Sequence, residues 1–416
     1  MAVNNQVVRA DFDRNKCHVV FMHNKLRRRK DDRYIVDLAN GLKDHGHKVT
    51  ILTTEVDRNN CFPELLPNKG DIDVKFSASY IPRNWYCLKA IIMAIRLCIF
   101  PPKPTPKVIV CDTNAIALFI LSKLSSYKTI LLAHFSAIQS LDLFSNYLKV
   151  TPDLLTVMSI THANEIVVQS ECLGDIFRRS FPNYNRDLTF ISPCVDTGSW
   201  KDDCIDIHRV IPDLPSNVHI FVVFGQYKKR SNFKLIMDTL EVFWIIADDN
   251  LKEKIHVVIG GNCNEKRPEE LIYYDELLDA IKDKKYGSQI SILKQLSIQQ
   301  KKTLLKKCTA VLIPTKHDPF PDTILQALHM GKTIIATNSG YAKYAITHRI
   351  SGILVDADPQ KFAAAMIKLC TNPMVHTFIC EMAADVFRSR FSYHCMARKI
   401  NSVVEKQISE RKNVVL

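Results

Sequence analysis

Short β-branched runs alternate with longer stretches of helical period along most of this chain, and the alternation starts afresh once. In the first half Cys17–His23 reads as a strand, and Asp31–His45 follows as a helix with Ile35, Leu38 and Leu42 at core spacing. Lys48–Thr53 is the next strand. Val108–Cys111, Lys128–His134 and Glu165–Gln169 continue the series, each with a helical stretch behind it. The run Cys194–Asn217, rich in Pro, Asp and Ser, reads as a hinge. Beyond it come the strands Val218–Phe224, His256–Ile259, Gln289–Leu293, Cys308–Pro314, Thr333–Thr337 and Gly352–Val355. Four helices close the chain, the last from Tyr393 to about Glu410 with Ser392 as its N-cap. Strand–helix alternation of this kind predicts an α/β protein with doubly wound parallel sheets. The expected division is 1–205, 206–390 and a terminal helix over 391–416.

The stretch from Cys308 to Gly340 shows why such a unit binds anions. After the strand Cys308–Pro314 comes a polar, proline-broken turn over Thr315–Phe320. Pro321 suits the first helical position, Asp322 and Thr323 suit the first turn, and Gly331 closes the helix. The next strand ends on Asn338-Ser339-Gly340. The carboxyl end of the strand and the amino end of the helix then meet at one edge of the sheet. Free N–H groups and a positive partial charge there suit a phosphate.

Composition narrows the class. At 416 residues the chain is long enough for two cores. With 47% hydrophobic and 24% charged residues it is globular rather than disordered. Thirteen cysteines lie scattered without a CxxC pair or zinc spacing, so reduced thiols are expected and no metal site. The formal charge of +13 calls for an anionic partner: a phosphorylated substrate, an acidic membrane or a nucleic acid. Met1–Lys16 reads as a polar leader without the apolar run of a signal peptide. Tyr86–Phe100 is the most apolar stretch, yet it is short of a bilayer span and contains Lys89 and Arg96. It reads either as a buried or edge helix or as a helix lying in a membrane interface.

A family resemblance is carried by motifs in order from about residue 17 to 395. They are FMH at Phe21–His23, Arg33-(x)3-Asp37, CDT at Cys111–Thr113 and AHFS at Ala133–Ser136. In the second half they are YKKRSNFKL, VVIGGN, DELL, KKCTAVLIPT and IIATNSG. On these the chain resembles the GT-B retaining glycosyltransferases, and within them the dolichol-pathway α-1,3/1,6-mannosyltransferases of N-glycosylation. The resemblance implies two Rossmann-like domains facing across a cleft, acceptor side first and nucleotide-sugar side second. It also implies transfer of mannose from GDP-mannose to a mannosylated chitobiosyl diphosphodolichol, without a metal or other cofactor. The partners implied are that donor, that acceptor, the membrane surface and other transferases of the pathway, with nucleic acid disfavoured. The place implied is the cytosolic face of the endoplasmic reticulum.

Carried over position by position, the resemblance also marks departures. Where the family has an acidic residue, seven others and then Glu, this chain has Asp318 and Gln326. Asp318 would lie by the donor sugar and Gln326 by the ribose hydroxyls. The glycine between them, whose N–H faces the diphosphate, is Pro321, and Asp322 adds a carboxylate. The diphosphate-binding Arg falls on Gln226, and the Lys on Arg230 or Ser231, with Lys228 and Lys229 beside them. The Gly-Gly loop of the first domain reads Arg29-Lys30. His134 matches a histidine near the donor sugar, and His23 ends the first strand toward the cleft. Gly260-Gly261 is expected to make a tight turn against the nucleotide. Two functions stay open on these residues: a mannosyltransferase using Asp318, His134 and Arg230, or a catalytically lapsed paralogue serving as a binding subunit. No GxGxxG follows any strand, which disfavours a dinucleotide enzyme.

Overall fold

The computed structural model describes residues 16–28, 30–57, 60–66, 72–82, 85–112, 115–133, 159–195, 200, 204–316 and 322–412. The chain divides into two compact units, Met1–Cys194 with Tyr393–Leu416, and Val195–Ser392. Each is built on one sheet.

In the first unit the strands are β1 (His18–Leu26), β2 (Lys48–Val56), β3 (Asp73–Phe76), β4 (Val108–Asp112), β5 (Lys128–Ala133), β6 (Glu165–Val168) and β7 (Thr189–Phe190). They pair in parallel in the order β3-β2-β1-β4-β5-β6-β7. Both faces are covered, so β1 shows a nearly unbroken apolar run whose alternate residues enter different cores. Val19 and Phe21 pack with Ile35 and Leu38 of the Lys30–Asp44 helix and with Ile400 and Val404 of the last helix. Val20 and Met22 pack with Ala90 and Met93 of the Tyr86–Ile99 helix and Leu118 of the Ala115–Leu124 helix.

The second unit holds β8 (His219–Gly225), β9 (Ile255–Gly261), β10 (Ile290–Leu293), β11 (Ala310–Ile313), β12 (Thr333–Thr337) and β13 (Ile353–Val355). These too are parallel, in the order β10-β9-β8-β11-β12-β13. Phe221 and Val223 face the Phe233–Ile246 and Pro359–Thr371 helices, while Ile220 and Val222 face Leu304, Leu325 and Leu328.

Two boundaries differ from the sequence reading. The segment taken for a hinge packs onto the second unit: Val195, Val210, Ile211 and Leu214 enter its core, and the Ile205 N–H donates to Thr303 Oγ1 at 3.0 Å. The second unit therefore starts at Val195 rather than residue 206. The Tyr393–Lys412 helix is no separate piece either, since it lies on the first unit. There Ala397 sits where a Cβ on Gly41 would come within 2.9 Å, and the His47 Nε2 bonds to Asn401 Oδ1 at 2.8 Å. At the chain end three α-helices and one π-helical turn, Phe387–Phe391, stand where four helices were expected.

Candidate functional site

In an open parallel sheet, ligands bind outside the carboxyl ends of the strands where the strand order reverses. In the second unit that point lies between β8 and β11, because β9 and β10 extend one side of β8 and β11, β12 and β13 the other. The segments leaving those two strands are Gln226–Asn232 and Pro314–Lys316. One hydrogen bond ties them together, from Asn232 Nδ2 to the Pro314 carbonyl at 3.0 Å. Asn232 holds a left-handed backbone, φ 53°, which Asn tolerates better than most residues.

The Gln226–Asn232 loop is fixed at its base and basic at its tip. Ser231 Oγ donates to the Gln226 carbonyl at 2.6 Å. Tyr227 is buried, donates to the Leu293 carbonyl at 2.6 Å and meets Tyr274 edge-on at 5.1 Å. Above this anchor Gln226 Oε1 accepts from Arg230 Nη2 at 2.9 Å and from Lys228 Nζ at 3.1 Å. Lys228 also lies 3.3 Å from Glu270 Oε1, which Arg267 approaches to 3.5 Å. Burial raises the Glu270 pKa, but the Asn264 N–H, Lys228 and Arg267 outweigh it and hold the carboxyl below its ordinary value. Lys228 is thus committed to a buried carboxylate. Arg230 and Lys229 are the exposed cations at this tip.

Across the switch point three polar atoms are buried without a hydrogen-bond partner: Thr315 Oγ1, Gln326 Oε1 and Ser339 Oγ. Thr315 follows β11, Gln326 belongs to the Asp322–His329 helix behind it, and Ser339 follows β12. Buried polar groups are rarely left unpaired, because each costs about 1–3 kcal/mol. Three at one edge mark a surface shaped for a polar ligand. Asp322 and Thr323 form the half-buried first turn of that helix. Asp318 and Pro321 lie outside the described residues.

Gly260 and Gly261 close β9, at the strand end expected of them, and the demand the structure shows on them is steric. A Cβ on Gly261 would stand 1.8 Å from the Gly225 carbonyl oxygen, and one on Gly260 would stand 2.3 Å from Leu296 Cδ1. These glycines let β9 run close beside β8 and under Leu296. Gly261→Ala is accordingly expected to lower the stability of the second unit by about 1–3 kcal/mol through overpacking. Chemical denaturation should show a lower midpoint.

The first unit has its own switch point, between β1 and β4. His23 and Asp112 face each other across it. His23 Nδ1 makes a short bond to Asp112 Oδ2, and Nε2 reaches Asp32 Oδ1 at 3.0 Å and the Lys25 carbonyl at 2.7 Å. Asp32 Oδ2 in turn accepts the Arg27 N–H at 2.7 Å, which sets the turn into the first helix. Burial pulls the His23 pKa down, but the Asp112 and Asp32 carboxylates overcome it and raise it to about 10. His23 is therefore a buried imidazolium held between two carboxylates, where the sequence reading placed it at the end of the strand. One of its partners, Asp112, belongs to the CDT motif, but the sequence does not pair the two. Lys30 opens the first helix, and Arg29 and His134 fall outside the described residues.

The comparisons with known proteins agree with this architecture. The family described as glycosyl transferases group 1 matches residues 205–385. The chain is 22% identical over 418 residues to the alpha-1,3/1,6-mannosyltransferase ALG2 of Dictyostelium discoideum, covering 95% of this chain and 99% of that one. It is 25% identical to the human ALG2 of the same description, covering 94% and 96%. Among solved structures, a glycosyltransferase from Rickettsia africae superposes with a TM-score of 0.69 at 17% identity, covering 95% of this chain and 99% of that one. Anabaena HepE in complex with UDP gives 0.62 at 14% identity, covering 94% and 100%. Residues 205–385 thus form a group 1 glycosyl transferase domain, and the chain as a whole has the GT-B fold of the glycosyltransferases on which it superposes.

Proposed function

We propose that this chain is a retaining mannosyltransferase that moves mannose from GDP-mannose to a mannosylated chitobiosyl diphosphodolichol. The observation that carries the donor half is the set of buried unpartnered atoms, Thr315 Oγ1, Gln326 Oε1 and Ser339 Oγ, at the same switch point as the loop that carries Arg230. A nucleoside diphosphate has hydroxyls for the first group and negative charge for the second. Gln326 can meet a ribose hydroxyl as a neutral partner. The likeness to ALG2 proteins over nearly the whole length supports the choice of mannose and of a dolichol-linked acceptor.

Retention follows from attack of the acceptor hydroxyl on the face that the diphosphate leaves. The bond from the anomeric carbon to the phosphate oxygen breaks, the bond to the acceptor oxygen forms, and the hydroxyl proton passes to the departing phosphate. No protein nucleophile is needed, so the chain's task is to stabilise the charge that grows on the leaving group. Arg230 and Lys229 are assigned to that task, and Asp318 and His134 to placing the hexose.

No helix among the described residues is long and apolar enough to cross a membrane. We place the reaction at the cytosolic face of the endoplasmic reticulum, with the acceptor presented from the membrane surface and other transferases of the same lipid at hand.

The test is to supply purified protein with labelled GDP-mannose and the mannosylated dolichol-linked acceptor. The expected product carries further mannose in the α configuration of the donor. Binding of GDP without any transfer would overturn the enzyme reading in favour of a subunit that only binds, a reading to which the commitment of Lys228 to Glu270 would then be relevant.

A further inference from the structure

A cavity of about 400 Å³ opens in the first unit, under the last turns of the Tyr86–Ile99 helix. That volume is in the range of small-molecule pockets. Its floor is Val20 and Thr50, in the amino half of β1 and β2, with Leu52 at the middle of β2. Phe76, Leu97 and Phe100 supply apolar walls. The Thr50 hydroxyl is already engaged, 2.9 Å from His18 Nε2 and 3.0 Å from Asp73 Oδ2, so the floor makes no polar demand on a guest.

Three cationic side chains also line the cavity: Lys75, Arg96 and Lys103. Arg96 is exposed and donates to the Phe76 carbonyl at 3.3 Å. Lys75 stands 3.5 Å from Asp73, with both side chains nearly half exposed, and Lys103 is exposed. The surface around it stays apolar. Ile95 and Ile99 lie one helical turn apart and are 37% and 62% exposed, and Phe100 is 74% exposed. Trp85, 59% exposed, marks the amino end of the same helix, whose sequence YCLKAIIMAIRLCI contains no carboxylate.

An apolar cavity with cations along its lining suits an amphiphile with one long chain and an anionic head. A peptide fits poorly, because its backbone N–H groups would meet walls of apolar and cationic side chains that offer them no free acceptor. We propose that this pocket takes a hydrocarbon chain of an anionic phospholipid from a bilayer, its phosphate held by Lys75, Arg96 and Lys103. Ile95, Ile99 and Phe100 then rest in the headgroup layer, as the apolar face of an interfacial helix does. The site is separate from the sugar-nucleotide edge and does not depend on the proposed reaction.

The experiment uses the full chain and dodecyl phosphate below its micelle concentration, with dodecanol and inorganic phosphate as the separated halves of the probe. Calorimetry is expected to show one site for dodecyl phosphate, no competition by inorganic phosphate, and much weaker binding of dodecanol. Arg96→Gln with Lys103→Gln should weaken dodecyl phosphate roughly thirtyfold, as two cations near an anionic lipid surface contribute, and leave dodecanol unchanged. Both substitutions are at exposed positions, and the thermal unfolding midpoint checks that the fold is kept. In parallel, the wild-type chain should sediment with vesicles of phosphatidylcholine and phosphatidic acid but not phosphatidylcholine alone, and brominated chains should quench Trp85. Equal affinity for dodecanol and dodecyl phosphate, competition by inorganic phosphate, an unaffected double variant, or failure to sediment with the anionic vesicles would each overturn the proposal.

Discussion

Replacing Arg230 with alanine is expected to lower mannose transfer by roughly 10²–10³-fold, the loss typical of one preorganised donor at a developing charge. The side chain is exposed and sits on the single 3-10 turn Lys229–Ser231, so its removal opens no cavity. The bond it makes is to Gln226 Oε1, which retains Lys228 at 3.1 Å. The base of the loop is held from elsewhere, by Ser231 on the Gln226 carbonyl and by Asn232 on the Pro314 carbonyl. Unfolding should therefore be unchanged while the rate falls. Arg230→Lys keeps the charge and loses the planar fork, so it should recover part of the rate. Lys229→Ala should act in the same direction with a smaller effect, and the two together should exceed either alone. Initial rates at saturating donor separate this from a simple loss of affinity. Full activity of Arg230→Ala would remove the loop from the reaction.

The strands were legible because buried parallel strands are written as short β-branched runs. Thr333–Thr337 was read to the residue, and β1, β2 and β9 were found within three residues of their ends. The strands β3 and β7 carried no such signal, having only four and two residues at the sheet edges. What failed to show in sequence was pairing at long range. His23 was noticed as a residue, but its partners lie 9 and 89 positions away, and only the fold makes them neighbours. Lys302 is likewise buried, with its ammonium over Trp200 at 5.8 Å, a neighbour far away in sequence. The run Cys194–Asn217 reads as a hinge because Pro and Asp interrupt it, although apolar residues within it, Val195, Val210, Ile211 and Leu214, anchor it. Gly260 and Gly261 are expected from sequence to make a turn against the nucleotide, and the structure adds a steric demand from Gly225 and Leu296. A glycine pair at a strand end looks the same in sequence whether a turn or a close neighbour requires it.

The largest stability effect is expected at His23. His23→Gln should destabilise the first unit by on the order of 3–5 kcal/mol, because it leaves Asp112 and Asp32 buried around a neutral group. The amide has N–H donors to offer but no charge to balance the two carboxylates. The pH dependence follows from the raised pKa. The unfolded chain carries this histidine near 6.5, whereas the native imidazolium is held to about 10. Between those values the native state binds the proton that the unfolded state has released, so stability falls as pH rises. The contribution is complete below about pH 6.5 and gone above about pH 10. Burial holds native thiols such as Cys17 and Cys111 un-ionised through that range while their unfolded counterparts ionise in its upper part, so the diagnostic quantity is the difference between wild type and His23→Gln. That difference in unfolding free energy should shrink steadily from neutral to alkaline pH, and amide exchange in β1 should report it locally. A difference that stayed constant to pH 10 would mean that His23 is neutral in the native protein and that one of the two carboxylates holds the proton instead.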